Sequence, residues 1–330
     1  MPKLELSVAT GDYDRIRPLI DGTVAIDGVA PVFMALEPEE IFFRAFRHAE
    51  FDIAELSLSS FTVRTARGDN PYVGVPVFPS RAFRHSGIYI RTDRGIRVPA
   101  DLKGRKVGLA EYQLTANVWI RAFLENDFGV EPTSIHWVRG GIEVPGRPEK
   151  IPIATPYGVT STEAAAGRSL SGLLLAGEID ALIGPRTPSA MTAANREIGW
   201  LFPDPRSAAI ENYRRTKNFP IMHLVGVRRT LAERHPWLPA AVLKAFEQAK
   251  AVAFAKLADT SASKVMLPFV DHVLQEAQDL MGRDFWPYGV ASNRSCLEYF
   301  LQQHHRQGLS DRLVAISELF HSTTFEAARI

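Results

Sequence analysis

Residues 98–130, VPADLKGRKVGLAEYQLTANVWIRAFLENDFGV, set the architecture of the chain. VPADLKG reads as a short helix closed by Gly104, and KVGLA as a buried strand. Beyond Thr115, the residues Ala116, Trp119, Ile120, Phe123 and Leu124 recur at helical spacing and mark one face of a helix. The alternation then continues. IHWVR (135–139) is a strand, and LSGLLLAGEIDALIGPR (170–186) reads as helix, turn and strand. Between them, 140–167 is rich in Gly, Pro and Thr and reads as a hairpin or loop within this unit. Strands alternating with helices predict a mostly parallel α/β sheet.

The same signals run outward in both directions. LELSVA (4–9), VFMAL (32–36) and FDIAELSL (51–58) are strands. EPEEIFFRAFRHAEF carries Phe42, Ala45, Phe46 and Ala49 on one helical face. SSFTVRTARG is a short helix that Ser59 or Ser60 is suited to cap. YVGVPVF and SGIYIR are further strands, and the basic turn FPSRAFRHS (78–86) joins them. Toward the C-terminus come a strand, PIMHLVGVRR (220–229), and two helices within 242–258 and 270–281.

The 330 residues suit two domains. Lys+Arg and Asp+Glu nearly cancel to +1, which argues against nucleic acid as a partner. Cys296 is the only cysteine, so neither an intramolecular disulfide nor a Cys-x-x-Cys metal knuckle forms. No stretch approaches the roughly 18 apolar residues of a membrane span. MPKLELSVATGDYDR shows no apolar run ahead of a small-residue cleavage site, so a soluble, cytoplasmic protein is expected. There is no His-x-His spacing, no pair of Glu-x-x-His helices and no calcium-loop spacing, and no metal is expected. KVGLAEYQ lacks the later glycines of a dinucleotide motif.

Three stretches together resemble the type II periplasmic-binding-protein fold: DLKGRKVGL before its helix, LLLAGEIDALIGP, and the returning PIMHLVGVRR followed by ERHPWL. The resemblance implies two α/β domains joined by two crossovers, a ligand cleft between them, and extra C-terminal helices. The expected division is 1–93 with 217–330 as one domain and 94–216 as the other.

Further stretches are more specific: GDYDRIRPLIDG, EEIFFRAFRHAEFDIAELSLSSF, PYVGVPVFPSRAFRHSGIYIR, EYQLTANVW and GWLFPDP. From residue 4 to about 250 the chain is similar to the 4,5-dihydroxyphthalate decarboxylases. That similarity implies a carboxy-lyase of aromatic (phthalate) catabolism. It would convert 4,5-dihydroxyphthalate to protocatechuate and carbon dioxide without an organic cofactor, as a homo-oligomer. Two alternatives use the same fold: a solute-binding protein for a small carboxylate, and a lyase acting on another acid.

In α/β sheets, ligands lie beyond the carboxyl ends of strands, near helix N-termini. That rule selects Asp12, Tyr13, Asp14 and Arg15, then Ser59 and Ser60, then Glu111, Tyr112 and Thr115, and finally Arg139 and Arg186. Ser59 and Thr115 also fit simple N-caps, and Asp12 and Asp14 a capped turn. The turn 78–86 adds Arg81, Arg84 and His85. Strand alternation would place Arg81, Phe83 and His85 on one face and Arg84 on the other.

For an aromatic dicarboxylate, the arginines are the natural carboxylate ligands. Loss of carbon dioxide calls for a general acid that protonates the ring carbon. His85 is the expected acid, with His223 or Glu111 as its partner group. Arg15, Ser59, Ser60, Arg81, Arg84, Tyr112, Thr115, Arg139 and Arg186 are the expected substrate ligands. The adjacent pair His304-His305 does not share a helix face, which argues against a metal site there.

Overall fold

Two sheets organise residues 2–192 and 194–325, which the computed structural model describes. The first has the order β2 (Val29–Ala35), β1 (Leu4–Thr10), β3 (Ile53–Ser57), β11 (His223–Arg228) and β4 (Tyr72–Val75). The second has the order β10 (Ile198–Trp200), β5 (Ile88–Arg91), β9 (Ala181–Ile183), β6 (Lys106–Leu109), β7 (His136–Arg139) and β8 (Thr160–Glu163). Neighbours are parallel except around β11 and β5, each antiparallel to both of its partners. Every residue of β3, β4 and β9 is buried, as expected of strands covered on both faces.

The helix Pro38–His48 lays Ile41, Phe42, Ala45 and Phe46 on the first sheet; three of these belong to the expected stripe, while its fourth member, Ala49, is instead the left-handed C-cap that ends the helix. Burying one such ring contributes about 1.5–3 kcal/mol. The helix Leu58–Arg67 begins directly at the end of β3. Its N-cap is Ser57, so Ser59 and Ser60 sit inside the first turn rather than at the cap.

β5 pairs only within the second sheet, so the chain changes lobe between Val75 and Ile88, ahead of the expected residue 93. It returns between Trp200 and His223. FPSRAFRHS is therefore the first crossover. It is not a regular strand: Arg81 forms an isolated bridge to Ile221, and a 3-10 turn starts at His85. The alternation expected of Arg81, Phe83, Arg84 and His85 fails because Pro79 and this turn break the period of two.

The helix Thr115–Phe128 is buried on all sides over its first ten residues, not on a single face. The C-terminal helix Arg294–Arg306 covers it. Trp119 stacks on Tyr299 at 5.7 Å, and its indole N–H donates to the Ile221 carbonyl at 2.9 Å. Buried Arg121 reaches Gln307 and the Tyr112 carbonyl. Within the Gly/Pro-rich stretch, β8 was not foreseen, because its sequence TSTE is polar and fully exposed. Among the described residues no helix is long and apolar enough to cross a membrane.

Candidate active site

The two lobes touch where β3 ends and where the helix following β6 begins. Ser57 Oγ lies 3.0 Å from Thr115 Oγ1, which also accepts the Ser59 backbone N–H at 3.0 Å. The N-termini of the helices Leu58–Arg67 and Thr115–Phe128 thus face one another.

Beside this contact the structure assembles a carboxylate–histidine pair. In the antiparallel register of β3 and β11, His223 opposes Ser57 and Val225 opposes Glu55. Glu55 and His223 are therefore diagonal neighbours on one face. His223 Nδ1 lies 2.6 Å from Glu55 Oε1. The Tyr13 hydroxyl donates to the same oxygen at 2.9 Å, and the Gly11 N–H donates to Oε2 at 2.8 Å. Glu55 is completely buried, which acts to raise its carboxyl. The bonds from His223, Gly11 and Tyr13 outweigh that and hold it below the ordinary carboxylate range. Burial, reinforced by Glu55, pushes the Tyr13 hydroxyl far upward, so it stays protonated and donates.

An ionised Glu55 fixes the His223 proton on Nδ1. Nε2 then points away, and among the described residues it has no hydrogen-bond partner. The ring is 17% exposed, enough for a ligand to touch it, and Phe42 packs edge-on against it at 4.8 Å. Gly11 is required for close approach: a Cβ there would meet the Tyr13 ring and hydroxyl at 2.6–2.7 Å. Arg15 pins Tyr13 from the other side, its guanidinium 4.3 Å from the Tyr13 ring and 4.4 Å from Trp286. Its Nε donates to the Pro79 carbonyl at 2.7 Å.

A second buried cluster spans the lobes. Glu111 and Lys150 are both fully buried, with Nζ 2.7 Å from the carboxylate, and Arg147 approaches the same oxygen at 2.8 Å. Lys150 and Arg147 also reach Glu39, on the helix Pro38–His48 of the first lobe. Burial acts to raise the Glu39 carboxyl, but Lys150 and Arg147 bring it below its usual range. Nearby, Arg186 pairs with Glu37 at 3.1 Å, both exposed. Two carboxylates at the first lobe's helix N-terminus are thus held by three cations of the second lobe.

The other expected residues are dispersed. Arg81 is buried and donates to the carbonyls of Phe219 and Pro287 and to Asn293, which makes it a brace between the crossovers and the C-terminal segment. Arg84 and His85 line a small cavity in the crossover. His85 stacks on Phe123 at 4.5 Å, and burial, then Arg215, pull its ring down to about 4. The structure does not bring His85 to His223 or Glu111. Glu111 is likewise apart from His223, committed to Lys150 and Arg147. Tyr112 and Arg139 line a separate cavity of ≈ 140 Å³, where Arg139 pairs with Glu149 and Glu163. Buried Ser59 accepts or donates a bond with His304 Nε2 at 3.1 Å, and burial drives that ring down to about 3. Among the described residues, the buried hydroxyls of Ser60 and Thr10 have no hydrogen-bond partner.

Glu55, Arg147 and Lys150 were not foreseen. Glu55 carried one readable signal: an acid at an inward position of the apolar strand FDIAELSL. Arg147 and Lys150 lie in irregular backbone with no period to read. Among the described residues, no group of three or more His, Cys, Asp or Glu side chains is placed to hold a metal ion.

No family model matches the chain. It is 58% identical over 330 residues, the whole of both chains, to the 4,5-dihydroxyphthalate decarboxylase of Comamonas testosteroni. It is also 58% identical over 214 residues to that of Pseudomonas putida, covering 65% of this chain and 83% of the other. Among solved structures it is similar to the periplasmic aliphatic sulphonate binding protein SsuA of Escherichia coli. That likeness has a TM-score of 0.55 at 15% identity and covers 97% and 92% of the two chains. The alkanesulfonate-binding protein SsuA of Xanthomonas axonopodis pv. citri, bound to MOPS, aligns with a TM-score of 0.54 at 12% identity and covers 97% and 99%. At such identities the structural likeness is one of fold: two α/β lobes of the periplasmic-binding-protein type. The sequence likeness fixes the activity as decarboxylation, and the chain belongs to the 4,5-dihydroxyphthalate decarboxylase family.

Proposed function

We propose that the chain converts 4,5-dihydroxyphthalate to protocatechuate and carbon dioxide, with His223 as the general acid. The observation that carries this reading is the Glu55–His223 pair at the cleft, with Nε2 open and Nδ1 committed to a buried carboxylate. Glu55 and Tyr13 act as positioning residues.

In the substrate each carboxylate lies para to a hydroxyl, and the two halves are equivalent by symmetry. The site therefore chooses which carboxylate leaves. Electron density from the para oxygen moves into the ring as the doubly protonated His223, its Nδ1–H held by Glu55, delivers its Nε2 proton to the carbon bearing the leaving group. The bond to that carboxylate then breaks, its electron pair restores the aromatic ring, and carbon dioxide departs. The proton gained by the ring is the one His223 lost, and solvent restores it. The ionised Glu55 orients the imidazole and balances its charge before transfer. This sequence needs no organic cofactor.

The retained carboxylate requires a cation, and Arg147 and Arg186 are the best placed. Glu39, Arg147's partner, lies one helical turn from Phe42, which packs on His223. A dianionic substrate entering between the lobes would replace Glu37 and Glu39 as partners of these arginines. The test is incubation with 4,5-dihydroxyphthalate while following protocatechuate by chromatography. Stoichiometric protocatechuate is expected; binding without product would overturn the substrate assignment.

A further inference from the structure

We propose that the crossover cavity behind the cleft is a binding site for a single monovalent, monatomic anion of the chloride class, held by Arg84. Both crossovers contribute to it: Arg84 and His85 from the first, Thr216 and Asn218 from the second, with Asn212 and Asp127 beside them. Its interior volume of ≈ 20 Å³ admits one particle of water size. An aromatic acid, or even a four-atom oxyanion, does not fit.

The charge count calls for an anion rather than water. Arg84 makes one described protein hydrogen bond, from Nε to the thioether of Met222 at 3.3 Å, and sulfur is a weak acceptor. No described carboxylate pairs with it. Asp127, the acid on the wall, is already matched by Arg215 at 2.6 Å and accepts the Asn212 amide at 2.8 Å. Arg84 and Arg215 against Asp127 leave one positive charge. His85 adds a buried Nδ1 with no partner. Arg84 is half-buried, and a half-buried cation without a counter-charge is still destabilised; burial lowers its guanidinium to about 10. One anion would neutralise it and accept a hydrogen bond from His85 as well.

The occupant would tie the two crossovers together, so halide should stabilise the fold. The direct experiment is anomalous diffraction from crystals of the full chain grown in bromide. A bromide peak beside Arg84 is expected; a cavity with no anomalous signal overturns the proposal. In solution, replacing gluconate by chloride at equal ionic strength should raise Tm by roughly 2 °C. Arg84→Met should abolish that difference. Equal Tm values for the native chain in the two salts would equally overturn the proposal, as would an Arg84→Met chain that keeps the full chloride effect. The bromide measurement uses the native chain and stands even if the variant fails to fold.

Discussion

In the first lobe, His223 turns one nitrogen to an ionised, buried Glu55 and leaves the other without a hydrogen-bond partner among the described residues. In the crossover, His85 lies flat on Phe123 with Phe202 across its edge, and its ring is held neutral. Both histidines sit among buried groups, and both belong to segments that pass between the lobes. What separates them is the partner. A carboxylate at 2.6 Å fixes one imidazole nitrogen and leaves the other for a ligand, whereas burial, then Arg215, holds the His85 ring neutral. His304 repeats the second case between Ser59 and Ser310, where burial pulls it to about 3.

Exchanging the two histidines' roles is the most direct way to break this contrast. His223→Gln is expected to lower kcat by about 10²- to 10⁴-fold, the usual range for a lost general acid. His85→Phe keeps the stack on Phe123 and should lower kcat by less than about tenfold. Steady-state kinetics with protocatechuate as the observed product decide between them. A larger loss for His85→Phe would return the acid to the crossover.

The two completely buried carboxylates sharpen the same distinction. Glu55 faces a histidine, while Glu111 faces Lys150 and Arg147. Glu111→Gln leaves Lys150 buried with only Glu39 as an anionic partner, a loss of about 3–5 kcal/mol for a broken buried pair. Urea unfolding at neutral pH measures it. The expected pattern is a large loss of stability at Glu111 with a smaller loss of kcat than for His223→Gln. A stable Glu111→Gln chain would show that the lobes do not depend on this cluster.

Much of the fold was legible because its signals are local. DLKGRKVGL, LLLAGEIDALIGP and PIMHLVGVRR each occupy one strand–helix unit, and all three fold where their periods place them. The site was legible only in part. His223 was visible as a polar residue in an apolar crossover strand, but its rank depended on Glu55, 168 residues away in the chain and one strand over. FPSRAFRHS drew attention by charge density, yet Arg81 spends its charge on carbonyls of the C-terminal segment. Whether an arginine faces a ligand or a carbonyl is set by packing, which a turn with no period does not encode. Arg147 and Lys150 were hidden for the same reason.

The smallest expected effect separates the two regions by pH window. The His85 ring falls from 6.5 to about 4 on folding, so the unfolded chain binds more protons between those values. Its contribution to stability is fully present above about pH 6.5 and disappears as pH falls toward 4. Removing the imidazole with His85→Phe should flatten that part of the stability curve, by roughly 2–3 kcal/mol across the window. Glu55 has the same sign in a different place. Its carboxyl lies below the ordinary 4.5, so its contribution is complete above that pH and is lost only as pH falls below it. Glu55→Gln should therefore leave the slope between pH 6.5 and 4.5 intact and flatten only the more acid limb. Unfolding free energies by urea titration across pH 4–7 test both variants. If Glu55→Gln instead removed the slope above pH 4.5, the carboxyl would titrate in that range, and Glu55 could not be the permanently ionised partner that the His223 mechanism requires.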